Sequence, residues 1–298
     1  MEEYLLPADD GLPMRPAGSW AKEKLDYLAR YIAVFETSMR QKWPIRNYVD
    51  LLAGPGKNRI RKTGEAILGS PLLALTTMHP FTGYFFVDLA SENTQALAQR
   101  CSASPQCQQV DIRTGDCNLA VDQIVAELKR DEQRSLNLAF LDPEGLELKW
   151  DTVAKLASIQ RMDLIINYPE GGLNRFLGRA MNSAGQTAVD EFFGDRGWRI
   201  AYQESQAQGE PNLHWRLIEF YKSRLQALGY KEVLRSDEVG EEPLMRNVER
   251  NAPLSRLLFA SKHPLGHRFW AVVTRRDVHG KQLLFRESPL QYLTFVLL

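Results

Sequence analysis

The chain has 298 residues, 44% of them hydrophobic, with 37 basic against 37 acidic side chains. That length can bury a sizeable core in one large domain or two small ones. A balanced charge excludes global attraction to nucleic acid or anionic lipid, so any such partner must be held by a local patch. Three cysteines, Cys101, Cys107 and Cys117, do not make a disulfide framework, and scattered histidines without a Cys-x-x-Cys pair give no metal site.

Residues 1–18 are acidic at their start and carry Pro7, Pro13 and Pro16, which reads as a loose N-terminal arm and not as a signal peptide. No apolar run approaches the ~18 residues of a membrane span, so the expected setting is the cytoplasm. Ser19 is the expected N-cap of a helix whose apolar face is Leu25, Leu28, Ile32, Phe35 and Met39. Four nearly continuous apolar runs follow: 47–53, 84–89, 136–141 and 162–167. Such runs are strands buried on both faces of a parallel sheet. Helical patterns alternate with them: one opening at Ser70-Pro71, one over 92–101, one through Val121, Ile124, Val125 and Leu128, and one over 150–160. The fold class this predicts is a doubly wound, mostly parallel α/β sheet with helices on both faces, Rossmann-like in plan.

After Pro169 the pattern loosens, and residues 170–212 read as an insertion or lid with a short helix near 189–193. Trp215, Ile218, Tyr221, Leu225 and Leu228 then make a helical stripe stopped by Gly229. Residues 257–260 and 269–274 are expected as two late strands joined through a turn holding His263 and His267. The main domain is therefore 19–275, with a C-terminal extension over 276–298.

The residues that carry chemistry sit at the strand ends, where open α/β sheets bind ligands. The first strand ends in Asp50-Leu-Leu-Ala53-Gly54-Pro55-Gly56. A dinucleotide fingerprint would need a third glycine at Arg59, and a P-loop would need glycine at Leu51 and a hydroxyl at Asn58. An acid followed by a small-residue turn suits the amino-acid end of S-adenosylmethionine (SAM), as in class I methyltransferases. Asp88 ends the second strand, where an acid can accept both ribose hydroxyls. Asp116 either faces an adenine amino group, caps the next helix, or does both. Cofactor candidates are thus Asp50, Ala53, Gly54, Pro55, Gly56, Asp88 and Asp116.

Catalytic candidates are Asp142, Pro143 and Glu144, after the third strand, and Asn167, at the end of the fourth. Amino-methylating enzymes carry Asp/Asn-Pro-Pro-aromatic at the first of these places. Here Glu144-Gly145 replaces the last two residues, which removes the base-stacking ring. Glu144 reads either as a general base or as part of a plain turn, and Asn167 or Tyr168 either lines the acceptor site or makes an ordinary strand exit. The unusually long segment between Gly56 and Ser70 carries Lys57, Arg59, Arg61 and Lys62. With Arg175 these form either a phosphate-binding patch or a solvated loop.

The segments YVDLLAGPGKNRIRKTGEAILGSPLLAL, FFVDL, AFLDPEGLELKW, LIINYPEGG and LLFASKHPLGHRFW together resemble the three-Cys-motif partner (TcmP) proteins. The resemblance implies a class I methyltransferase-like fold, a bacterial or phage setting and a partner protein bearing the three-Cys motif. Two functions are expected from all this: a SAM-dependent methyltransferase acting on an acceptor such as nucleic acid, or a non-catalytic module of the same fold that serves a partner or binds nucleic acid.

Overall fold

The computed structural model describes residues 2–210, 213–230, 242–247, 249 and 251–275. Its strands in chain order are β1 (Arg15–Ala17), β2 (Ile45–Asp50), β3 (Lys57–Ile60), β4 (Ala66–Leu68), β5 (Gly83–Asp88), β6 (Val110–Thr114), β7 (Ser135–Leu141), β8 (Met162–Tyr168), β9 (Leu244–Asn247) and β10 (Ala252–Ala260). The helices that flank the first half are α1 (Trp20–Met39), α2 (Ser70–Leu75), α3 (Ser91–Cys101), α4 (Cys117–Arg130) and α5 (Trp150–Ala157). Four short ones follow, α6 (Glu170–Asn174), α7 (Leu177–Met181), α8 (Ala188–Phe193) and α9 (Trp198–Gln208), then α10 (Leu213–Ala227) and α11 (Pro264–Thr274).

Seven strands form the main sheet in the order β6-β5-β2-β7-β8-β10-β9. The pairs from β6 to β8 are parallel, and β10 is antiparallel to both of its neighbours. The winding reverses between β2 and β7, which creates the crevice where ligands of such sheets bind. An antiparallel strand inserted before the last one separates this order from the plain dinucleotide fold and gives the class I methyltransferase-like plan.

Side-chain alternation explains the helices on both faces. Val49, Val87, Ala139, Leu164 and Ile166 join one core with α4, α5, α8 and α10. Tyr48, Phe86, Leu138, Phe140 and Ile165 join the other with α1, α2 and α11. Neither face is left for water, so the runs could be apolar without a break.

Several elements differ from the sequence expectation. Residues 269–274 are not a strand but the end of α11: His263 caps it by accepting from Leu265 N at 3.1 Å, and Pro264 opens it. Phe269, Trp270 and Val273 keep helical spacing, which a six-residue window could not distinguish from a strand. The antiparallel partner of β10 is β9 instead. Residues 170–210 are not loose: they hold α6–α9, with Trp198, Phe192 and Phe193 fully buried. The short helix expected near 189–193 is α8, whereas α6 and α7, of five residues each, are too short to show a period in the sequence. Gly69, not Ser70, is the N-cap of α2, and Ser19 precedes α1 without a capping bond.

The arm is not loose either. β1 pairs in parallel with β3, and β3 pairs with β4, so the basic segment is a small three-stranded sheet. Asp10 bridges Lys57 and Arg100 at 2.8 and 2.7 Å, with all three side chains essentially excluded from water. The C-terminal extension lies outside the described residues. No described helix is long and apolar enough to cross a membrane.

Candidate functional site

Three loops meet at the carboxyl edge and are tied together by backbone bonds. In the turn after β2, Gly54 and Gly56 have φ of +64° and +91°, conformations open to glycine at little cost. Ala53 N donates to Val87 O, and Gly54 N to Asp88 Oδ2 at 2.9 Å. Gly115 N donates to Asp88 O at 3.0 Å. The glycine turn, Asp88 and Gly115-Asp116 therefore adjoin.

The three acids play different parts. Asp88 Oδ1 also accepts from Ala90 N and Asn93 Nδ2, both at 2.9 Å. Three of its roughly four lone-pair directions are filled. One acceptor direction is left, where the sequence reading expects a pair of ribose hydroxyls. Asp116 is exposed and caps α4, its Oδ1 accepting from Asn118 N at 2.8 Å. Leu89 and Leu119, beside these two acids in the chain, are 76% and 72% exposed. Asp50 is fully buried under the turn, with Oδ1 accepting from Leu52 N at 3.2 Å. Burial pushes its carboxyl up to about 7, offset in part by the Ser70 hydroxyl, and its Oδ2 makes no well-formed hydrogen bond. It supports the turn from below and does not line the cleft.

That cleft, of about 300 Å³, opens beside the turn between β1, the start of α1 and the ends of β7 and β8. Asp142 and Asn167 both line it and touch: Asn167 Nδ2 donates to Asp142 Oδ1 at 2.7 Å. Lys24 of α1 clamps the same carboxylate at 2.6 and 2.5 Å. Sequence reasoning missed Lys24, because a lysine between helix-face residues looks like any solvated cation. It also missed Arg15, whose guanidinium lies next to Gly54 and whose Nε is 3.3 Å from Glu144 Oε1. Pro143 is buried in the cleft wall. The Glu144 side chain is 69% exposed and turned to Arg15, so it stands on the rim of the cleft. Its backbone N–H, with that of Gly145, is held by the Glu147 carboxylate at 2.5 and 2.8 Å. Tyr168 leaves the site altogether and packs in the core against Phe192 and Tyr221.

The basic patch is smaller than the sequence suggested. Lys57 is buried on Asp10 and belongs to the fold, not to a surface. Arg59 pairs with Asp9 at 2.6 Å, and Lys62 with Glu249 at 3.4 Å. Arg61 and Arg175 remain, both exposed and both lining the cleft. Among the described residues no cluster of His, Cys, Asp or Glu could hold a metal ion.

No family model and no curated protein matches the chain. Among solved structures it is similar to a Legionella pneumophila protein, with 14% identity over 55% of this chain and 74% of that one at a TM-score of 0.41. It is also similar to the O-methyltransferase TomG of Streptomyces achromogenes, solved with SAM, with 13% identity over 80% of each chain at a TM-score of 0.40. Likenesses this remote assign neither family nor ligand. The fold rests on the strand order described above.

Proposed function

We propose that the chain is a SAM-dependent methyltransferase acting on nucleic acid. The observation that carries this reading is the joining of Gly54, Asp88 and Gly115-Asp116 at the switch point, directly beside a cleft floored by Asp142 and Asn167. The residues fit the cofactor. The glycine turn brings backbone close without a Cβ, Asp88 keeps one acceptor direction, and Asp116 is accessible. Leu89, next to Asp88 in the chain, and Leu119, in the first turn of the helix that Asp116 caps, are exposed apolar side chains of the kind a nucleobase covers. Arg15 stands by Gly54, where a guanidinium would meet a carboxylate.

When bound, SAM supplies an electrophilic methyl group on a sulfonium. The chain's own part is alignment. Lys24 and Asn167 fix the Asp142 carboxylate at the cleft floor. The resemblance to TcmP proteins supports a three-Cys-motif partner protein as part of the working unit.

A second reading has its own support. Asp142 is already engaged by Lys24 and Asn167, and Glu144 is paired with Arg15, so among the described residues the cleft contains no uncommitted carboxylate. A non-catalytic module that binds nucleic acid or a partner would look the same. Calorimetry with SAM separates the two. The enzyme reading expects binding by the wild type and loss of it in a folded Asp88→Ala. Absence of heat at millimolar SAM would leave only the module.

A further inference from the structure

The rim of the cleft carries a pattern that the cofactor does not use. Trp20, the first residue of α1, is half-buried and lines the cleft. Its ring lies against Gly18, where a Cβ would come within 1.9 Å of it, so only glycine lets the ring sit there. Arg61 follows β3, held by its backbone N–H on Ala17 O at 2.9 Å, and its exposed side chain makes no ion pair among the described residues. Arg175 follows α6; its Nε donates to Gly171 O at 3.2 Å, and its other four N–H donors have no acidic partner among the described residues. Phe176, next to it, is 44% exposed. The neighbouring cations are committed elsewhere, to Asp10, Asp9 and Glu249.

Exposed guanidiniums without carboxylates hold phosphate oxygens, and rings beside them hold unstacked bases. A duplex cannot present a base face to Trp20 without opening it, because its bases are covered by their neighbours. We propose that the cleft takes one unstacked nucleotide of a single-stranded nucleic acid. Its base lies on Trp20 above the Asp142–Asn167 floor, and its flanking phosphates lie on Arg61 and Arg175. Trp20 thereby supplies the ring that Glu144-Gly145 removed from the strand-end motif. The inference rests on the methyl-transfer reading only for where the reacting atom would lie; the binding itself needs no cofactor.

The test is therefore run without SAM. Fluorescence anisotropy of a labelled mixed-sequence 12-mer, as DNA and as RNA, is measured across a salt series for the wild type, Trp20→Ala, Trp20→Phe and the Arg61→Ser/Arg175→Ser double variant. The double variant should bind at least tenfold more weakly, and its log–log salt slope should be shallower by about 1.4, the value for two single-strand phosphates. Trp20→Ala should lose roughly tenfold at every salt concentration, and Trp20→Phe should recover most of it. Unlabelled single strand should displace the probe better than its duplex. Absence of wild-type binding, an unchanged salt slope in the double variant, or equal competition by the duplex would overturn the proposal. So would displacement of the probe by an acidic peptide as effective as the single strand. Arg61 and Arg175 are exposed, so their variants stay informative if Trp20→Ala fails to fold. SAM calorimetry on the double variant reads the cofactor claim separately.

Discussion

Replacing Asp10 with asparagine is expected to unfasten the N-terminal arm. Its side chain is 1% exposed and lies between Lys57 and Arg100, which are both fully buried. Burial alone would raise the Asp10 pKa, but hydrogen bonds from Arg100 and Lys57 outweigh it and hold the carboxyl well below its usual range. A neutral amide there would leave two buried cations without a counter-charge, a loss of about 3–5 kcal/mol. Lys57 would keep Glu3 O and Ala8 O, and Arg100 would keep Pro13 O and Pro55 O, so the lower end, about 3 kcal/mol, is expected. At ~2–4 °C per kcal/mol that lowers the thermal midpoint by roughly 6–12 °C. The arm carries β1 and Arg15, so protease cleavage within residues 1–18 should appear before global unfolding. A folded pKa held below the unfolded one means this stability is complete above the unfolded value, about 4, and is lost as the pH falls below it. The gap between wild type and variant should therefore close in acid. A variant with the wild-type midpoint and wild-type protease resistance would refute the bridging role.

Asp50→Asn tests the buried acid under the turn. Its folded pKa is raised to about 7, so the folded state holds a proton that the unfolded state releases near 4. Its stability contribution is therefore full below about 4 and is lost as the pH rises to about 7. The variant should gain on the wild type across that window in pH-dependent urea unfolding, and parallel curves would contradict the burial. Gly54→Ala should cost about 1–2 kcal/mol from its φ of +64° alone, because its Cβ would meet Arg15 at an ordinary 3.7 Å. A loss above 4 kcal/mol would mean that something besides backbone strain is at work. Lys24→Met should leave Asp142 held by Asn167 alone among the described residues while the fold persists, and SAM-dependent turnover should fall about tenfold with cofactor binding unchanged; an unchanged rate would confine Lys24 to packing.

The candidate residues that sequence made legible are local in the chain. The glycines of 54–56, Asp88 at the end of its strand and Asp116 before its helix each announce themselves by neighbours a few residues away, whereas the burial of Asp50 beneath the turn was not legible. Lys24, Arg15 and Trp20 did not, because their meaning comes from partners far along the chain: Lys24 meets Asp142 across 118 positions. The charge of Lys57 was visible, but its burial on Asp10 depends on an arm whose prolines looked like disorder. The central strands were legible because both faces are buried. α11 was not, because its six-residue tail is equally apolar as helix or strand.

The most direct measurement is a crystal structure grown with millimolar SAM. Adenosine density at Asp88 and Asp116, with the methionine end at Gly54 beside Arg15, is the expected result. An empty edge at saturation, or SAM bound anywhere that Asp88 does not touch, would contradict the cofactor assignment.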